Sequence, residues 1–217
     1  MNIVVCNTLK NVMINLRQLG LNPIGLEQTE SLHDIPEELD GVILDGNWPY
    51  RPLANLLEEA REHSLITSID HIPEEDKVNK KRLLEDIDIF CPNKDEMIHL
   101  CGETCTTLDE MHREIKNIIE RGTRAIAVTM GNDGVFFATK KIRKLIPAYI
   151  VAVADEEGAG DAFIAGIFYG LSKNYSMEKS IHCGIAAGSI TVASYGDTAF
   201  ELKPENLENI IENRVKK

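Results

Sequence analysis

Residues 155–171 read DEEGAGDAFIAGIFYGL: an acidic turn, then Gly158, Ala159 and Gly160, then Asp161 and an unbroken apolar run. The apolar run predicts a core helix that opens at the glycines. A helix start exposes unpaired N–H groups and carries a partial positive charge. Glycines let an anion approach that backbone, because no Cβ intervenes. An aspartate in the first turn sits beside such an anion and can take the proton of a hydroxyl. That combination is what phosphoryl transfer to an alcohol requires. The plainer alternative is a glycine turn whose aspartate simply favours the helix start, worth ~0.3–1 kcal/mol. From these four residues alone the two readings stand even.

Working outward, helices and strands alternate. NIVVC (2–6), NPIGLEQ (22–28), LDGVILDG (39–46), LITSID (65–70), DIFCPN (88–93) and RAIAVTMG (124–131) read as strands. Between them LKNVMINLRQLG (9–20), PLANLLEEAREH (52–63), KVNKKRLLEDI (77–87), KDEMIHLCG (94–102) and TLDEMHREIKNIIERG (107–122) read as helices. GVFFATKK (134–141) and IRKLIPAYIV (142–151) look like an antiparallel pair, and helical stretches fill 161–173, 176–196 and 204–217. The expected fold class is α/β, with a mostly parallel central sheet, helices on both faces and an antiparallel edge. A chain of 217 residues suits one domain, 1–217, with no separate lid domain.

The formal charge of -12 and pI near 5.0 leave no broad basic surface for nucleic acid. Lys140, Lys141, Arg143 and Lys144 form the one basic cluster, expected on a solvated hairpin. No apolar run approaches the ~20 residues that span a bilayer, so no membrane contact is expected. Five cysteines (Cys6, Cys91, Cys101, Cys105 and Cys183) lack zinc-site spacing and read as structural, in a reduced cytoplasm. Trp48 reads as packing. His63, His99 and His112 fall on predicted exposed helix faces. Asp70 and His71 end a parallel strand, where α/β folds place ligands, although strand-end polar residues are common without function.

The motif at 155–171 resembles the C-terminal signature of the ribokinase-like, or PfkB, carbohydrate kinases, roughly D-T-x-G-A-G-D-x-F-x-x-G. Three further stretches follow that family's order. PNKDEMIHLCG (92–102) is similar to its N-x-x-E element, with Asn93 and Glu96 in place. VTMGNDGVFF (128–137) resembles its nucleotide-side V-T-x-G-x-x-G segment. Residues 41–70 resemble the strand–helix–strand unit that brings an aspartate-glycine pair, here Asp45 and Gly46, to the sheet edge.

The resemblance implies an ATP- and Mg²⁺-dependent kinase for a hydroxyl of a sugar or sugar-like molecule. Asp161 would be the general base, and the amides of Gly158, Ala159 and Gly160 the anion hole. Asn93 and Glu96 would organise hydrated Mg²⁺; read without the family, they are a capped helix start. Thr129, Gly131 and Gly134 would line the nucleotide phosphates, with a plain hairpin as the alternative. Ala187 and Gly188 lie in the small-residue helix (183–189) that would meet adenine, with tight helix packing as the alternative. Asp155 matches an aspartate that in some relatives helps hold a monovalent cation, K⁺. Asp45, Gly46 and Asp161 would face the acceptor.

Two departures stand out. Glu156 takes the place of the signature's Thr or Ser, and Glu157 follows it. No Gly-Gly pair exists for the family's sugar-gripping element, and the length leaves no room for its β-lid, so residues 1–40 read as a divergent or truncated N-terminal part. A homodimer is an open expectation for a site without a lid. The alternatives are a nucleotide-binding pseudo-kinase without turnover, or a kinase of the hydroxymethylpyrimidine or pyridoxal type.

Overall fold

Strand β1 (Asn2–Cys6) shows how the layers arise: Ile3 and Val5 belong to one buried cluster, Val4 and Cys6 to another on the opposite side, all at 0% exposure. A strand with four consecutive buried apolar residues has to be covered on both faces. The computed structural model describes residues 1–28, 30–35, 38–73, 79, 81–102, 107–196, 198–199 and 201–215. After β1 come α1 (Lys10–Gln18), β2 (Asn22–Leu26), β3 (Gly41–Leu44), α2 (Tyr50–Glu62), β4 (Ile66–Ile69) and β5 (Ile89–Phe90). Then follow α3 (Lys94–Cys101), α4 (Leu108–Arg121), β6 (Ala125–Thr129), β7 (Val135–Thr139) and β8 (Arg143–Ile146). The chain closes with α5 (Ala159–Ser172), α6 (Met177–Val192) and α7 (Pro204–Val215).

The strands form one sheet in the order β2-β1-β3-β4-β5-β6-β7-β8. The first six pair in parallel, and β7 and β8 turn antiparallel, as the pattern near residue 135 indicated. Helices α1, α5, α6 and α7 cover one face; α2, α3 and α4 cover the other, where Trp48 is buried as packing. Residues 1–40 contribute β1 and β2 to the same sheet. Among the described residues, no helix is long and apolar enough to cross a membrane. Cys6, Cys91 and Cys183 are buried free thiols and Cys101 is half-buried, while Cys105 lies outside the described residues.

Two sequence expectations need correction. Of the helix expected over 77–87, Asn79 is helical, while Lys81–Asp86 form a 3₁₀ turn. Side-chain hydroxyls take its carbonyls: Thr123 donates to the carbonyl of Leu84, and Thr67 to that of Asp86 at 3.2 Å. Those acceptors would otherwise serve the next α-helical turn. His112 is half-buried rather than exposed, its ring stacked on Phe136 with centroids 4.2 Å apart. Lys144 on the basic hairpin also pairs with Glu178.

Candidate active site

The parallel strands point their carboxyl ends to one edge, and the chain leaves that edge at Thr8, Asp45, Asp70, Asn93 and Thr129. Crevices of this kind are where α/β sheets hold ligands. The glycine motif reaches the same region from the covering layer. Gly158 is the N-cap of α5 with φ 74°, a left-handed conformation that L side chains rarely adopt. No side chain caps the helix there. Asp161 stands in the first turn, half-buried, with Ala159 and Gly160 before it. A Cβ placed on Gly160 would meet no atom within 4 Å, so this backbone faces open space.

That space belongs to a cavity of about 410 Å³. Thr129, Gly131, Gly134, Ala159, Gly160 and Gly188 all line it, which brings most of the nominated nucleotide and anion residues together. Gly158, Asp161, Asn93, Glu96 and Ala187 are not among the lining residues; Ala187 is fully buried, facing the α5 backbone near Gly166. The expected stretch 183–189 holds Ile185 and Ser189, not singled out there, and Val192 lies beyond it; with Gly188 these form an i, i+3, i+4, i+7 face of α6 toward the cavity. That spacing was present in the sequence. Tyr149, Ile150 and Val153, from the loop after β8, complete an apolar wall. Gly134 is required by close approach, since a Cβ there would lie 2.7 Å from the amide nitrogen of Ala148.

Around the cavity the loops are tied by backbone contacts. Thr129 donates its N–H to the carbonyl of Pro92 at 2.9 Å, and Asn93 bridges to Thr129. Asn93 and Glu96 adopt the capping box: Asn93 Oδ1 accepts the Glu96 N–H at 2.8 Å, and Glu96 Oε2 accepts the Asn93 N–H at 2.7 Å. Burial pushes the Glu96 carboxyl up, partly offset by that backbone hydrogen bond. The capping geometry predicts a stability effect of its own. Asn93→Ala removes one cap and is expected to cost about 1 kcal/mol, read as a lower urea midpoint with unchanged slope.

Asp155 accepts the N–H of Glu157 at 3.1 Å and of Gly196 at 3.3 Å, clamping the loop before α5 to the turn after α6. The two amides hold its carboxyl below the usual range. Glu156 lines the cavity and is exposed. Asp45 is 3% exposed; its carboxylate accepts from Thr8 Oγ1 and from the N–H of Asn47 at 2.8 Å. The N–H of Gly46 donates to Asp70 at 2.8 Å, and a Cβ on Gly46 would collide with the carbonyl of His71.

Residues 38–204 match the family model described as pfkB family carbohydrate kinase. The ribokinase of Staphylococcus aureus (strain COL) is 30% identical over 161 residues, covering 74% of this chain and 52% of that protein. The ATP-dependent 6-phosphofructokinase of Thermoanaerobacterium thermosaccharolyticum is 27% identical over 134 residues, covering 62% and 39%. The chain thus spans about half the length, or less, of these curated relatives. Among solved structures, phosphofructokinase-2 from Escherichia coli in complex with potassium superposes with a TM-score of 0.76 at 16% identity, covering 94% of this chain and 86% of that one. Arabidopsis thaliana ribokinase complexed with ribose and ATP gives 0.65 at 21% identity, covering 79% and 55%. At these identities the structural likeness speaks for the fold.

Proposed function

Since this chain belongs to the pfkB family of carbohydrate kinases, we propose that it transfers the γ-phosphoryl group of ATP to a hydroxyl of a sugar or sugar-like molecule. The observation that carries this reading is the tip of α5, where Ala159 and an open-faced Gly160 line a cavity of about 410 Å³, with a left-handed Gly158 before them and the first-turn Asp161 next in the chain. The acceptor oxygen forms a bond to the γ-phosphorus while the bond to the β,γ-bridging oxygen breaks and ADP leaves. The hydroxyl proton goes to the Asp161 carboxylate. Amides at the helix tip stabilise charge on the transferring group, each donor being worth about 3–4 kcal/mol in such sites. Mg²⁺ bound with the triphosphate would neutralise phosphate charge. Asn93 and Glu96 supply the oxygen donors that such a hard ion takes, directly or through its water. Thr129, Gly131, Gly134 and Gly188 would line the nucleotide, and Asp45 and Gly46 would border the acceptor.

The S. aureus relative is named for ribose, and the T. thermosaccharolyticum one for fructose 6-phosphate phosphorylation. Ribose and sugar phosphates therefore head the panel. The test is ADP release with ATP–Mg²⁺ across pentoses, hexoses, their phosphates, nucleosides and vitamin alcohols. Release stimulated by one acceptor supports the proposal. ATP binding with no stimulated release favours the second reading, nucleotide binding without turnover. Glu156 gives that reading its footing, because this residue lines the cavity that a triphosphate would enter. Glu156→Thr is accordingly expected to tighten ATP binding about two- to tenfold at low salt, less at high salt, by calorimetric titration. Unchanged affinity would mean that the carboxylate turns away from the phosphates.

A monovalent cation at Asp155 would share a carboxylate that already accepts two amides, and rates in K⁺ against Na⁺ test it. Light scattering tests the proposed homodimer.

A further inference from the structure

A second cluster lies at the carboxyl ends of β3 and β4. The register pairs Leu44 with Ile69, so the residues that follow, Asp45 and Asp70, leave the sheet side by side. Asp70 Oδ1 accepts the N–H groups of Gly46 and His71 at 2.8 and 2.7 Å, and its Oδ2 lies 2.8 Å from His71 Nδ1. One ligand atom from each of Asp45, Asp70 and His71 lies within 4.8 Å of the others.

The imidazole of His71 is what separates this cluster from ordinary strand-end polarity. Its Nδ1 faces the Asp70 carboxylate, and its Nε2 faces Asn47 Oδ1 at 3.2 Å. Both neighbours are acceptors. A neutral imidazole has one N–H and one lone pair, so both contacts are satisfied together only by a second ring proton, a turned Asn47 amide or a cation bound beside the ring. Glu96 and Asp45 add negative potential to that of Asp70 at the ring. Among the described residues, no lysine or arginine forms an ion pair with Asp45, Asp70 or Glu96.

We propose that Asp45, Asp70 Oδ2 and His71 Nδ1 bind a divalent transition-metal ion, in the absence of nucleotide. Two carboxylate oxygens and an imidazole nitrogen suit Zn²⁺ or its neighbours better than Mg²⁺, which prefers oxygen alone. Bonds of about 2.0 Å in a tetrahedral site put ligand atoms about 3.3 Å apart. The existing 2.8 Å between Asp70 Oδ2 and His71 Nδ1 is a hydrogen-bond distance, about 0.5 Å shorter than that spacing, so the two atoms would part slightly as an ion replaced the shared proton. Coordination through Nδ1 leaves Nε2–H to donate to Asn47 Oδ1, the outer partner that orients a ligating histidine. Thr8 and the Asn47 amide steady Asp45 in the same way. Three protein ligands leave one position for water or a substrate oxygen.

The test uses the metal-stripped full chain without ATP, so it is independent of whether the chain proves to be a kinase. Zn²⁺ is titrated in competition with a chromophoric chelator, and Co²⁺ binding is followed by visible absorption. One tightly held equivalent is expected, with the intense d–d bands of a low-coordinate site. His71→Gln and Asp45→Asn should each weaken it about 100-fold or more, since even outer partners cost about 10–100-fold. His63→Ala serves as the control, because His33 and His63 lie 3.1 Å apart on the surface and could chelate metal themselves. It should leave the tight equivalent in place. Equal Zn²⁺ affinity in folded His71→Gln, or loss of the equivalent in His63→Ala, overturns the proposal. So does a wild-type Co²⁺ spectrum without those bands. The ring is then satisfied by a proton, or by a turned Asn47 amide.

Discussion

Replacing Asp161 by asparagine is expected to lower turnover about 10²–10⁴-fold while ATP still binds, because the amide keeps the shape of the carboxylate but cannot take a proton. The position explains why the two readouts separate. Asp161 occupies the first turn of α5, where a carboxylate also interacts favourably with the helix dipole, worth about 0.3–1 kcal/mol. The variant should therefore melt slightly lower, and its affinity for ATP should stay level or improve as a negative charge leaves the phosphate's surroundings. Steady-state ADP release measures the first effect, calorimetry the second and thermal melting the third. Turnover equal to that of the unsubstituted chain would remove Asp161 from the chemistry, however well the cavity binds nucleotide. A fall in turnover matched by loss of ATP binding would point to a damaged helix tip, with no evidence about proton transfer.

Much of this architecture was legible because its signals are local. Strands β1, β3 and β6 are apolar at nearly every position, and α5 begins within the glycine motif, with Gly158 as its N-cap. The face of α6 that meets the cavity was equally available as a 185, 188, 189, 192 spacing, but attention to small residues selected Ala187, which points into the packed layer. What could not be read was pairing across the sheet. Asp70 and His71 are adjacent in sequence, whereas Asp45 joins them only through the Leu44–Ile69 register, and Thr8 arrives from a third strand end. The 3₁₀ turn at Lys81–Asp86 failed for a related reason. Its local pattern favours a helix, and the hydroxyls of Thr67 and Thr123, from elsewhere in the chain, claim its carbonyls.

Two glycines six residues apart in α5 are expected to respond in opposite ways to the same substitution. Gly166 faces α6 so closely that a Cβ would lie 2.6 Å from the carbonyl oxygen of Cys183 and 2.8 Å from both the Cα of Gly184 and the Cβ of Ala187. Gly184 returns the approach, with a Cβ there 2.8 Å from the ring and carbonyl of Phe163. Two of the atoms opposing Gly166 are backbone, so the helices themselves would have to separate. Overpacking of this kind costs about 1–3 kcal/mol or more, which outweighs the gain of up to about 1 kcal/mol from giving a helix alanine for glycine. Gly166→Ala should therefore lower the melting temperature, and Gly166→Val should lower it further. At Gly160 no atom lies within 4 Å of the same added carbon, so Gly160→Ala keeps the helical gain and melts no lower than the unsubstituted chain. Its cost falls on the ligand instead: the methyl enters the cavity beside the helix tip, and ATP affinity should drop about tenfold or more. Thermal melting and calorimetric titration of the two variants in parallel make the comparison. If Gly160→Ala bound ATP as the unsubstituted chain does, the amides of this helix tip would not be where the phosphate sits, and the kinase reading would lose the geometry on which it stands.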